Sequence, residues 1–166
     1  MDSSSKKPST LLSEKFGNKI RIRVCGLCIE GSSVLLAKHT GMGPEELWLP
    51  PGGGLSFGEK AQSALKRELQ EEAGIAVQAC EFAFVYEVIR PPFHAIELFF
   101  HISQWSGTPS VGHDPELGEK QQIIQEVAFI PFEQIKHWPA SHTHHLFRQA
   151  ASIEELKALR GHYMFG

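Results

Sequence analysis

Residues 53–75 read GGLSFGEKAQSALKRELQEEAGI, and the fold turns on how this stretch is arranged. Glu59 to Ala73 has helix-forming composition, and Gly74 stands where a helix C-terminus favours glycine. With Ala61 at zero on a helical wheel, Ala64, Leu65 and Leu69 fall at about −60°, 40° and 80°. Glu68 and Glu72 fall at about −20° and 20°, within that apolar stripe, and Glu71 falls at about −80°, at its edge. Lys66, Gln70 and Glu59 point away from it.

A merely solvated acidic face is a poor account of this pattern, because the acids are not on the polar side. They also lie near the helix C-terminus, where the helix dipole disfavours negative charge, and Glu68 and Glu72 repel at i,i+4. Clustered carboxylates are hard oxygen ligands, and they point to a site for Mg²⁺, with Mn²⁺ as a substitute. On this reading the cluster is destabilising without a cation. Replacing Glu72 by Gln is then expected to leave the metal-free protein at least as stable as the parent. The Gly-rich segment is not a P-loop: Glu59 follows Gly58 where that motif needs Lys and then Ser or Thr.

Outward from the helix, the chain is mostly strands. Lys19 to Ile29 and Val34 to His39 form a predicted hairpin, with Glu30 to Ser33 as its turn. Pro50 to Gly54 is expected to be loop. Ile75 to Arg90, interrupted near Cys80, and His94 to Trp105 are predicted strands, as is Val127 to Ile130. A short helix is expected over Phe132 to Lys136, with further helices from Thr143 to Ala150 and Ile153 to Arg160. Residues 1–17 are expected to be a flexible tail, and 18–166 a single domain. The mixture predicts an α+β architecture, a mixed sheet between helices.

Sixteen Lys+Arg against nineteen Asp+Glu give a net charge of −3 over 166 residues, and no basic run occurs. Nucleic acid is therefore not an expected partner. No apolar run reaches the roughly 18 to 20 residues of a membrane span. Three cysteines are too few for a disulfide scaffold, and a reducing cytoplasm is expected. Cys25 and Cys28 are an odd number apart on a predicted strand, so their side chains face opposite sides of the sheet. His142, His144 and His145 are expected to be a surface cluster.

Gly53, Glu59, then Arg67-Glu68-Leu69-Gln70-Glu71-Glu72-Ala73-Gly74-Ile75 resembles a complete Nudix box. All nine specified positions are met, an agreement that arises by chance on the order of once in 10⁹ windows. The resemblance implies the Nudix fold, an α/β/α sandwich. It also implies a metal-dependent hydrolase that cleaves the pyrophosphate of a nucleoside diphosphate linked to another moiety. Nucleotide sugars, ADP-ribose, dinucleotides and nucleoside triphosphates are all open as substrates. A non-catalytic nucleotide-binding sensor on the same fold is the alternative.

By position, Glu68, Glu71 and Glu72 match the family's metal ligands and catalytic carboxylates, and the Gly52 carbonyl matches a further ligand. Arg67 matches a residue that orients the glutamates, and Glu59 matches a supporting one. The general base is Glu68 or an acid of the later loop, among Asp114, Glu116, Glu119 and Glu126. Glu119 is carried as a metal ligand. Gly53 and Gly54 let backbone approach the metal or phosphate. Arg23 and Trp48 are candidate substrate contacts, with surface and core roles as their rivals. Tyr86, Phe93, Lys38, His39 and Arg90 are weaker candidates of the same kind. The resemblance and the exposed strand edges also imply a homodimer.

Overall fold

The computed structural model describes residues 8–41, 46–113 and 122–166. Its strands are β1 (Lys19–Glu30), β2 (Ser33–His39), β3 (Leu47–Leu49), β4 (Gly52–Gly54), β5 (Ala76–Arg90), β6 (Phe93–Ser106), β7 (Ile124–Pro131) and β8 (Gly161–Phe165). Helices are α1 (Pro8–Phe16), α2 (Ala61–Ala73), α3 (Phe132–His137) and α4 (Ile153–Ala158), with 3₁₀ turns at Ala140–His142 and His145–Arg148. Eight strands form one mixed sheet, ordered β3-β2-β1-β6-β5-β8, with β4 also on β1 and β7 also on β2. β1 runs parallel to β6, and β5 parallel to β8; the other pairings are antiparallel.

Alternation of side chains across the strands builds two cores. On one face, Ala64, Leu65, Leu69 and Ala73 of α2 pack against Val24, Cys28, Leu35, Phe100 and Ile102. On the other, Cys25, Leu27, Phe84, Tyr86 and Phe99 meet Phe132 and Ile135 of α3, Leu146 and Phe147, and Leu156 of α4. The sheet is thus sandwiched between helices, as expected, and Cys25 and Cys28 lie in opposite cores. Burial drives both thiols away from ionisation, that of Cys28 up to about 12.

α2 leaves part of its own face bare. By register, Ile20 and Ile22 of β1 share that face with Ile89 of β5 and Met164 of β8. All four are exposed, Ile20 by 64% and Met164 by 62%.

Several boundaries differ from the sequence reading. Pro8–Phe16 is helical within the expected tail. Gly52–Gly54, expected as loop, is a short strand paired to Arg23, Val24 and Cys25 of β1. The interruption near Cys80 is a set of register shifts within one continuous strand. Gly161–Phe165, predicted as no element, is the edge strand β8. Its short polar-apolar run Gly-His-Tyr-Met-Phe carries little period, and pairing with β5 supplies what local pattern lacks.

Candidate active site

The box helix α2 carries the acids as its wheel predicts. Glu68 and Glu72 are 8% and 7% exposed, within the buried stripe, and Glu71 is half-buried at its edge. The helix closes on Gly74 in the left-handed region (φ 67°), whose N–H donates to the Gln70 carbonyl. The chain after β6 then returns to the same helix end. The amides of Ser110, Gly112 and His113 donate to the carbonyls of Ala73, Glu72 and Glu71. These donors satisfy carbonyls that have no partner within the helix, and so weaken the negative end of the helix dipole.

Arg67 organises the acids. Its Nε and Nη2 donate to the two Glu59 oxygens at 3.0 Å each. Nη1 donates to Glu68 Oε1 (2.7 Å) and Glu71 Oε2 (3.2 Å), and Nη2 also to the Gly54 carbonyl (3.1 Å). All five guanidinium N–H groups are used, which a Lys ammonium at this position would not reproduce. The Glu59 carboxyl is held below its usual range by these bonds to Arg67. Burial raises the Glu68 carboxyl, and Arg67 opposes that rise.

The glycines of β4 pack directly on the acids. A Cβ at residue 53 would lie 2.2 Å from Glu68 Oε2, so only glycine leaves the carboxylate its place. The Gly52 N–H donates to Glu72 Oε2 at 3.0 Å. Glu72 therefore has a structural partner, which corrects the expectation that it is only a liability without metal.

Three more residues join the site that the sequence reading assigned to other roles or did not single out. Arg23 is neither a surface residue nor an open phosphate contact. Its Nη1 donates to Glu97 Oε1 (2.8 Å) and its Nη2 to the Gly52 carbonyl (3.2 Å). The second Glu97 oxygen accepts from His144 Nε2 at 2.6 Å. Glu97 was not singled out, and His144 is buried rather than part of a surface cluster. Burial alone would push the Glu97 carboxyl up, but the hydrogen bonds from His144 and Arg23 and the Arg23 charge hold it down at about 2. One signal was available in the sequence: a lone Glu amid Ala95-Ile96-Leu98-Phe99-Phe100 is an acid in an apolar strand that needs a buried partner.

Other candidates fall elsewhere. Trp48 is buried and packs on Trp138 (5.6 Å between centroids), so its role is core and not base stacking. Tyr86 is likewise core. Phe93 lies beside Pro91 and Pro92 in a surface groove, apart from the acids. Lys38 pairs with Glu46 (2.9 Å) and faces Glu126 across the β2–β7 pair. Arg90 lies over the Phe165 ring. His39 is buried, and burial with the Arg23 charge lowers it to about 4, so it is neutral at pH 7. Asp114, Glu116 and Glu119 lie outside the described residues.

Among the described residues, no group of three His, Cys, Asp or Glu side chains is gathered closely enough to hold a metal ion. Arg67 instead stands as the resident counter-charge of Glu68 and Glu71. The donor set still fits a hard divalent cation. It is all oxygen, and burial disfavours the Glu68 charge that a cation would neutralise.

A family model described as NUDIX domain matches residues 19–150. The 8-oxo-dGTP diphosphatase of Proteus vulgaris is 32% identical over 105 residues, 57% of this chain and 92% of that protein. The protein of the same name from Escherichia coli (strain K12) is 34% identical over 74 residues, covering 45% of this chain and 57% of that one. Among solved structures, a MutT NUDIX hydrolase from Burkholderia pseudomallei aligns with a TM-score of 0.64 at 21% identity, over 84% of this chain and 98% of the other. A NUDIX hydrolase from Nitrosomonas europaea aligns with a TM-score of 0.61 at 22% identity, over 79% and 85%. At these identities the structural likeness speaks for the fold alone.

Proposed function

The chain belongs to the NUDIX family, and from that premise we propose that it is a pyrophosphohydrolase that needs a divalent cation and takes a nucleoside triphosphate. The observation that carries this reading is the complete box with Glu68 and Glu72 buried against Gly52 and Gly53. The substrate class follows the relatives named 8-oxo-dGTP diphosphatase, one of which is matched over 92% of its length. The products would be a nucleoside monophosphate and pyrophosphate.

Glu68, Glu71, Glu72 and the Gly52 carbonyl are the groups that would hold Mg²⁺ or Mn²⁺, with Glu119 as a further ligand from the 114–121 segment. When bound, the cation neutralises phosphate charge and lowers the pKa of the attacking water. Glu68 takes the water proton as the water oxygen bonds to phosphorus and the bridging P–O bond breaks. Arg67 keeps Glu68 and Glu71 from repelling each other, a role that a bound cation would share. The expected homodimer belongs to this reading as well, with the bare apolar part of the α2 face as the surface to be covered.

The test is hydrolysis by the purified protein with Mg²⁺ against 8-oxo-dGTP, dGTP, ADP-ribose and nucleotide sugars, with the nucleoside monophosphate formed from each resolved by chromatography and pyrophosphate release followed for the triphosphates. Turnover of 8-oxo-dGTP that vanishes in EDTA is expected. Undiminished turnover in EDTA overturns the metal site. A preference for ADP-ribose or a nucleotide sugar overturns the substrate class. Nucleotide binding without turnover of any of these establishes the sensor alternative.

A further inference from the structure

Among the described residues, Arg23 Nε is the one buried side-chain nitrogen or oxygen without a hydrogen-bond partner. A buried orphan donor is costly, so the side chain is held in this orientation by its other bonds. Arg23 lies between Gly54 of β4 and Glu97 of β6 in register, with β1 in the middle. Its two Nη atoms are committed to Glu97 and to the Gly52 carbonyl.

Glu97 is itself fixed from behind. His144 Nδ1 accepts the Leu146 N–H (3.0 Å), which leaves the proton on Nε2 for Glu97 Oε2. The His144 ring stands edge-on to Tyr86 (5.0 Å) and Phe99 (5.5 Å), so it has no room to swing away. A continuous chain of bonds therefore runs from the Leu146 amide through His144, Glu97 and Arg23 to the carbonyl of Gly52. The amide of the same Gly52 donates to Glu72.

This arrangement poses an electrostatic problem. A guanidinium on the Gly52 carbonyl orients that peptide, but its positive charge opposes any cation that the same carbonyl and Glu72 would share. Glu97 removes the opposition, because it neutralises the guanidinium without releasing it from the carbonyl. We propose that Glu97, locked by His144, is a positioning residue of the active site: as counter-ion to Arg23 it keeps the Gly52 side of the acidic cluster open to a divalent cation. This inference rests on the metal site proposed above.

The test is Mn²⁺ binding without nucleotide, read by electron paramagnetic resonance of free Mn²⁺, for the parent and three variants. Glu97→Gln keeps shape and leaves Arg23 unpaired, and its Mn²⁺ affinity should fall by about tenfold or more. Arg23→Gln removes the opposing charge and should bind as tightly as the parent or tighter. The double variant is neutral again and should return to within about threefold of the parent. A purely structural role predicts a different pattern, in which each change weakens binding and the pair is weakest.

An affinity of Glu97→Gln within about twofold of the parent overturns the proposal, as does a double variant no tighter than Glu97→Gln. If Glu97→Gln does not fold, Arg23→Gln decides: equal or tighter binding supports the proposal and weaker binding overturns it. A parent that binds no Mn²⁺ removes the metal site and this inference with it. A parent that binds, with variants unchanged, removes this inference alone.

Discussion

The Glu68 carboxylate fills the space that a side chain at Gly53 would need: a Cβ at residue 53 would lie 2.2 Å from Oε2 and 2.3 Å from Cδ of Glu68. The two are fifteen positions apart, on β4 and on α2, and the contact joins the backbone side of the site to its acidic side.

Gly53→Ala should therefore act on the carboxylate rather than on the backbone. Turnover should fall about 10²-fold or more, since displacement of a reacting group by about an ångström has that effect. Overpacking should lower stability by about 1–3 kcal/mol. Steady-state kinetics and thermal melts check both, and unchanged turnover would show that Glu68 has room to move without consequence.

Glu72→Gln should lower the stability of the metal-free protein by about 1 kcal/mol, because the Gly52 N–H would donate to a neutral amide oxygen in place of a carboxylate. Glu72→Leu should cost more, about 2–3 kcal/mol, since it leaves that buried N–H with no acceptor. Urea unfolding in EDTA measures the difference. A Gln variant more stable than the parent would mean that repulsion from Glu68 and Glu71 outweighs the bond to Gly52.

Arg67→Lys should cut turnover by about 10- to 100-fold, the usual effect of disturbing a group that orients metal ligands. Its loss of stability in EDTA should be modest, about 1 kcal/mol, because Arg67 is partly exposed and solvent screens its pairs. Mg²⁺ should narrow the gap in melting temperature between variant and parent, since a cation would then neutralise Glu68 and Glu71. A gap that widens with Mg²⁺ contradicts this role.

His39 should make stability fall as the pH drops from about 6.5 to about 4. Its folded pKa is lowered to about 4 by burial and by the Arg23 charge, so only the unfolded chain takes up the proton in that window. The contribution is on the order of 3 kcal/mol across the window. Glu97, held down at about 2, acts lower, its contribution being lost between about 4.5 and about 2. Urea midpoints above pH 4.5 isolate the first effect. His39→Gln should flatten it, and an unchanged slope would assign it to another group.

Much of the site is local, and that part was legible in the sequence. The 3.6-residue period alone puts Glu68 and Glu72 on the buried side of α2 and Glu71 at its edge, because helix geometry depends only on spacing. Strand parity alone sends Cys25 and Cys28 into opposite cores. Gly74 ends the helix for a reason contained in one residue, its left-handed φ.

Tertiary structure decided the rest, because the remaining contacts join residues that no local period relates. Arg23 and Glu97 are 74 positions apart and Glu97 and His144 are 47 apart. They meet only because β1 pairs in parallel with β6 and the Thr143–Arg148 segment folds over the opposite face. Gly52 meets Glu72 only because β4 joins the edge of β1 beneath the helix. Spacing could show which residues share a face; whether a buried acid there is a liability or a hydrogen-bonded partner depended on a backbone amide supplied by another strand.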